Sequence, residues 1–174
     1  MQEGASSIKS DETMFRKLFR KINITQGPET VAEVDVQKYC GTWYEIAAIP
    51  SRQENRCTNT KAEYTFDRVK GRVVVRNSCK RGSRGASIRA TAVPVPGTGN
   101  SKLIVTFFGF IKADYWVVGL ADDYSWALVS NPDRSRCWVL SRTPYPDDAI
   151  YTHMLEVLRK KGIDTSLLVR TTHG

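Results

Sequence analysis

Histidine is nearly missing. The 174 residues include two, His153 and His173, and four cysteines, Cys40, Cys57, Cys79 and Cys137, none of them in a Cys-x-x-Cys pair. Zinc chemistry lacks its ligands, and no metal site is expected. No apolar run approaches the roughly 18 residues that a membrane-spanning helix requires. The opening segment MQEGASSIKSDET has no apolar h-region, so no signal peptide is expected in this chain. That leaves a cytosolic protein, or a mature form whose targeting segment has been removed. Hydrolytic motifs are missing too: there is no G-x-S-x-G and no carboxylate pair at a recognisable spacing. Acidic residues are the scarcer charge, 18 against 26 Lys and Arg, for a formal charge of +8. Much of the excess falls in RKLFRK (16–21) and KRGSRGASIR (80–89). It is read as a solvated surface or as attraction to anionic lipid; with no nucleic-acid motif beside it, no nucleic-acid partner is expected.

What is present begins with a short basic helix. MFRKLFRKI (14–22) places Met14, Phe15, Leu18, Phe19 and Ile22 on one helical face, with Arg16, Lys17, Arg20 and Lys21 elsewhere. Such a helix binds an anionic membrane surface, or packs on its own domain or a second copy, so the choice between monomer and homo-oligomer stays open. Asn23-Ile24-Thr25 is a glycosylation sequon, meaningful only in a eukaryotic secretory setting. Residues 1–30 are taken as an N-terminal extension and 31–174 as one folded domain.

From residue 39 the apolar period changes to two. Eight strand-like runs follow: 42–49, 61–67, 72–79, 87–95, 102–110, 114–121, 125–130 and 136–142, separated by turn-rich gaps such as RVKG, GTGN, IKA, DDY and NPDRS. Eight antiparallel strands in about a hundred residues predict an all-β barrel or sandwich. Cys57 and Cys79 flank a predicted hairpin that brings them opposite one another, which suits a disulfide and an oxidising compartment. Cys40 and Cys137 lie in apolar runs and read as buried free thiols. PDDAIYTHMLEVLRKKG (146–162) is an amphipathic helix with Ile150, Met154, Leu155 and Leu158 on its apolar face. It must pack outside the barrel. IDTSLLVR (163–170) adds a last short strand.

Three motifs then stand in order: GTWYEIA (41–47), VVGLADDYSWALV (117–129) and WVLSR (138–142). In order and spacing they resemble the three signatures of the lipocalin family, from about residue 33 to 170. FFGF, YSWALV, WVLSRTP and the Cys57…Cys79 spacing are similar to the bacterial, apolipoprotein D-like subgroup. The resemblance implies an eight-stranded up-and-down barrel, wide enough for one small ligand, with the helix outside. It implies a closed floor where Gly41 gives room beside Trp43 and the Arg142 guanidinium lies over the indole.

Strand alternation fixed by Arg142 turns Trp138 and Leu140 inward, and Cys137 and Val139 outward. The resemblance sets the same parity elsewhere: Ala62 and Tyr64, Val73, Val75 and Asn77, Val105 and Phe107, Tyr115 and Val117, Ala127 and Val129 face in. Trp43 inward implies Glu45 and Ala47 inward. The expected ligand wall therefore comprises Glu45, Ala62, Tyr64, Val75, Asn77, Val105, Phe107, Tyr115, Val117, Trp138 and Leu140. In a solid barrel the same apolar residues would only fill the interior. Glu45 meets a polar headgroup, an arginine or a proton, since a buried unpaired carboxylate is costly.

The resemblance implies non-catalytic carriage of a small lipophilic ligand near a membrane, with fatty acid or lysophospholipid first. Haem, bilin or isoprenoid-type ligands, a lipid-modifying enzyme of the same fold and a pure interaction protein are the alternatives. No cofactor is expected. The expected location is periplasmic or outer-membrane-associated, or secreted.

Overall fold

The computed structural model describes residues 27–50 and 57–174. The expected helix at 14–22 and the sequon at 23–25 lie outside the described residues. Eight strands form the barrel: β1 (Gly41–Ala48), β2 (Thr58–Asp67), β3 (Arg72–Arg81), β4 (Arg84–Pro94), β5 (Lys102–Phe107), β6 (Ile111–Leu120), β7 (Trp126–Ser130) and β8 (Cys137–Ser141). Each pairs antiparallel with the next, and β1 closes the ring by pairing with both β8 and β2. Closure leaves no long open edge among the described strands β1 to β8.

A short helix, α1 (Val36–Tyr39), precedes β1 and was not anticipated. Its signal is Asp35, whose carboxylate accepts from the backbone N–H of Gln37 and Lys38 at 2.9 and 3.2 Å. That is ordinary N-cap chemistry at a helix too short to show periodicity. The chain before α1 is tied to the barrel by Val31 N–H to Val117 C=O at 3.0 Å and Val34 N–H to Gly99 C=O at 2.7 Å.

Alternation divides the apolar residues between two cores. Trp43, Ala62, Tyr64, Val73, Val75, Ala90, Ala92, Leu103, Val105, Val117, Ala127, Val129 and Leu140 fill the barrel interior. Ile46, Ala47, Trp116, Val118, Leu128, Cys137 and Val139 face outward, against the second helix, α2 (Asp148–Lys160). Ala47 corrects the sequence reading. A bulge between Glu45 and Ala47 inserts one residue opposite β8 and reverses the alternation, so Ala47 pairs with outward-facing Val139. A second bulge between Val117 and Gly119 sets Gly119 opposite outward-facing Leu128, directly after the outward Val118, and turns Leu120 to the inner core.

The β5–β6 boundary also shifts. The turn falls at Phe108-Gly109-Phe110, with φ of 51° and 80° at the first two, rather than at Ile111–Ala113. Two consecutive left-handed residues match the twist of a tight hairpin, and β6 gains three residues.

α2 presents Met154 and Leu158, both fully buried, with Tyr151, Leu155 and Val157 partly covered. Ile150, expected on this face, is 38% exposed one position before Tyr151. The helix stops at Gly162, φ +75°, with Gly162 N–H bonded to Arg159 C=O and Ile163 N–H to Leu158 C=O. This αL stop returns Ile163 to the outer core. After a 3₁₀ turn (Thr165–Leu167), β9 (Val169–Arg170) pairs with Ala47 and Ala48 of β1. The last residues then cross to β2 through Asn59 N–H to Thr172 C=O at 2.8 Å. The C-terminal segment thus covers the gap where β1 leaves β2.

Candidate functional site: the barrel interior

The closed end is built first. Gly41 has φ of +101°, and a Cβ there would stand 3.2 Å from Arg142 Nη1. The backbone therefore turns sharply and leaves space for the guanidinium, which lies 3.7 Å from the centre of the fully buried Trp43 ring. Arg142 Nη1 donates to Thr42 C=O at 2.9 Å, and Nη2 donates to Lys38 C=O at 2.7 Å. Trp43 Nε1 donates to Tyr39 C=O at 2.8 Å. One cation thus clamps α1, the start of β1 and the end of β8 across the barrel base. Trp43 covers the floor of the cup, and its role is structural.

Above the floor stands a group of tyrosines from three elements: Tyr39 of α1, Tyr64 of β2 and Tyr115 of β6. The Tyr115 hydroxyl shares hydrogen bonds with Tyr39 at 2.7 Å and with Tyr64 at 3.0 Å. Tyr39 rests on Trp43 with ring centres 5.1 Å apart and meets Tyr64 edge-on at 5.7 Å. Burial pushes the Tyr64 hydroxyl up to about 12 and raises those of Tyr39 and Tyr115 well above their ordinary value. All three remain protonated at neutral pH. Three O–H hydrogens serve two mutual bonds, so one hydrogen remains to donate to a further acceptor.

A cavity adjoins this group. Val34, Val36, Tyr39 and Cys40 contribute from the entry segment, and Tyr64, Val73, Ala92, Leu103, Val105, Tyr115 and Val117 from the strands, with Asn100 from the β4–β5 loop. Its atom-free space is about 400 Å³, part of it open to solvent, and the room it leaves to water-sized molecules is about 20 Å³. That is a small space with apolar walls, not a broad chamber.

Of the expected ligand wall, Tyr64, Val105, Tyr115 and Val117 line this cavity. Ala62, Val75 and Leu140 lie in the same inner core, with Phe107 and Trp138 half-buried against it. Asn77 stands opposite Ala62 and Ile88, toward the end formed by the β3–β4 and β5–β6 turns. Glu45 stands apart: its carboxylate accepts from Thr171 Oγ at 2.7 Å, and its C=O meets His173 Nε2 at 2.7 Å. The C-terminal segment, rather than the cavity, holds it. Sequence reasoning missed Val34, Val36, Tyr39 and Asn100 because they belong to α1 and loops outside any alternating run. Cys40 lines the cavity, half-buried, and Cys137 is fully buried in the outer core; both are free thiols. Cys57 and Cys79 are joined by a disulfide, with Cα atoms 5.5 Å apart.

Among the described residues no three His, Cys, Asp or Glu side chains gather as metal ligands. His153 packs edge-on against Trp126, 5.7 Å between ring centres, and His173 sits by Tyr44 and Tyr145. Neither lines the cavity described above.

Comparison with known proteins gives a consistent picture. The lipocalin-like domain profile matches residues 34–173. Temperature-induced lipocalin-1 of Arabidopsis thaliana is 34% identical over 151 residues, covering 82% of this chain and 81% of that protein. Outer membrane lipoprotein Blc of Escherichia coli K12 is 34% identical over 146 residues, covering 83% and 82%. Among solved structures, insecticyanin from the tobacco hornworm Manduca sexta superposes with a TM-score of 0.71 at 24% identity, over 85% of this chain and 86% of that one. The last shares the fold.

Proposed function

We propose, from the premise that this chain belongs to the lipocalin family, that its barrel carries a single-chain lipid, a fatty acid or lysophospholipid, without chemical change. Lipocalins bind small hydrophobic ligands, and the shape of this interior bears on which. The observation that carries the reading is the small apolar space beside the Tyr39–Tyr64–Tyr115 group, walled by Val73, Ala92, Leu103, Val105 and Val117. So small an apolar space suits a flexible chain better than a flat macrocycle. Affinity comes from apolar burial at about 25 cal/mol per Å². The tyrosine hydroxyls offer a donor to an oxygen of the ligand. The expected wall residues act as contacts: Tyr64, Val105, Tyr115 and Val117 around the chain, and Ala62, Val75, Asn77, Phe107, Trp138 and Leu140 on the rest of the inner wall.

The disulfide supports an oxidising compartment. A relative named as an outer membrane lipoprotein supports work close to a membrane. Catalysis has little support, because neither histidine lies at the cavity.

The test is a titration with a fluorescent fatty acid and a lysophospholipid competitor. Ala90 points inward and Thr91 outward on the same strand. Ala90→Trp blocks uptake while Thr91→Trp leaves it intact, both variants keeping the native far-UV circular dichroism and cooperative thermal unfolding. Equal binding by the two variants, or tight binding of haem or a bilin with no binding of acyl chains, refutes the proposal.

A further inference from the structure

The exposed apolar residues include a concentrated group at one hairpin. Phe108 is 68% exposed, Phe110 75% and Ile111 48%, all in or beside the β5–β6 turn. Strands alternate up and down, so this turn lies at the same end of the barrel as the β3–β4 and β7–β8 turns, opposite the Trp43 floor. An aromatic pair at a turn tip contributes nothing to the core and costs solubility, so a surface that covers it is the natural explanation.

The charge around it identifies that surface. From residue 68 to 113 the chain contains ten Lys and Arg and no Asp or Glu. The rest therefore holds 16 basic and 18 acidic residues, and the whole excess of positive charge belongs to this stretch. Register places half of it toward the end that carries the aromatic tip. Ala90 pairs with Phe107, so the outward Arg89 neighbours the strand end that continues into Phe108. Lys112 pairs with Thr106 on the far side of the same hairpin. Lys80 and Arg84 lie at the β3–β4 hairpin end, at the same end of the barrel. Arg72 and Arg76 reach across to Asp67 and Glu63 at 3.7 and 3.8 Å, and Arg68 and Lys70 of the β2–β3 turn and Lys102 at the start of β5 stand at the floor end, which leaves Lys80, Arg81, Arg84, Arg89 and Lys112 toward the mouth.

We propose that the mouth of the barrel docks on an anionic phospholipid bilayer, with Phe108 and Phe110 inserted at the headgroup level and Arg89, Lys112 and the β3–β4 tip on the lipid phosphates. Aromatic rings favour the interface of a bilayer, and basic residues around them add attraction that acts within a Debye length. A nucleic acid would engage the same charge but gives no role to two exposed phenylalanines at the tip. Docking in this orientation turns the end of the barrel opposite the Trp43 floor toward the membrane. The proposal stands whether or not the cargo is an acyl lipid.

The test is flotation of the full chain with vesicles of phosphatidylcholine containing phosphatidylglycerol, against vesicles of phosphatidylcholine alone. The expected result is binding to the anionic vesicles that weakens with added salt. Phe108→Ser with Phe110→Ser lowers the partition coefficient about tenfold or more, and Arg89→Gln with Lys112→Gln lowers it only on anionic vesicles. All four side chains are exposed, so unchanged near-UV circular dichroism verifies the fold. Undiminished binding by the double serine variant overturns the proposal and assigns any membrane affinity to another segment, residues 14–22 first. No binding by the native chain overturns it outright. A dimer that disappears in the serine variant assigns the tip to self-association, and a shift of duplex DNA without vesicle binding assigns the charge to a polyanion; either overturns it.

Discussion

Replacing Arg142 with methionine removes the guanidinium while keeping an apolar stem of similar reach. Two losses follow from the geometry. The cation lies 3.7 Å above the buried Trp43 ring, where such a contact contributes about 2 kcal/mol once desolvated. Thr42 C=O, bonded at 2.9 Å in a part-buried position, loses its donor, at about 1–3 kcal/mol. Lys38 C=O is more exposed and regains water, and Tyr39 C=O keeps Trp43 Nε1. The sum is about 3–5 kcal/mol, or a fall in Tm of roughly 6–20 °C for a chain of this size. Arg142→Lys keeps the charge but not the planar fork, so it falls between native and methionine variants. Urea denaturation followed by tryptophan fluorescence measures the loss, with an unchanged m-value showing that the native state has not expanded. Arg84→Met, at the exposed β3–β4 tip, is the control and costs within about 0.5 kcal/mol. A loss under about 1 kcal/mol for Arg142→Met refutes the clamp.

Two further outcomes follow from the same structure. Removing the disulfide with Cys57→Ser and Cys79→Ser releases a closure spanning 22 residues, and costs about 3 kcal/mol in the chain-entropy account, measured by thermal and urea unfolding. The alkaline limb of stability carries the signature of the tyrosines. Tyr64 holds its proton to about 12 in the fold, against 10.0 for an ordinary tyrosine. The folded state therefore binds more protons in that window, and stability falls as pH rises through it, by about 1.4 kcal/mol per pH unit for each such group. Tyr64→Phe flattens that slope, and an unchanged slope contradicts the buried network.

Much of the barrel was legible because its evidence is local. Period-two alternation, phased by Arg142, gave Trp138 and Leu140 the inward side they occupy, and the family resemblance phased Ala62 and Tyr64, and Val73 and Val75, the same way. Alternation also explains the failure at Ala47. A single inserted residue at the Glu45–Ala47 bulge reverses every later side chain of the strand, and nothing in GTWYEIA marks it. The turn at Phe108-Gly109-Phe110 was read as strand because phenylalanine favours strands; only pairing of Phe107 with Ile111 reveals the hairpin. Tyr39 was hidden differently. It reaches Tyr115 across 76 residues of sequence, from a helix of four residues, and no periodicity spans such a gap. Glu45 has several partners open to it in the sequence, and the one it takes, the hydroxyl of Thr171, lies 126 residues away with no local signal joining the two.

The most direct measurement of the central claim is native mass spectrometry of the purified full chain, followed by denaturing extraction and lipid analysis. The account predicts a fatty acid or lysophospholipid at close to one per chain, absent from the Ala90→Trp variant. An empty protein that also refuses added acyl lipid contradicts it, as does a bound haem or bilin in the same cavity.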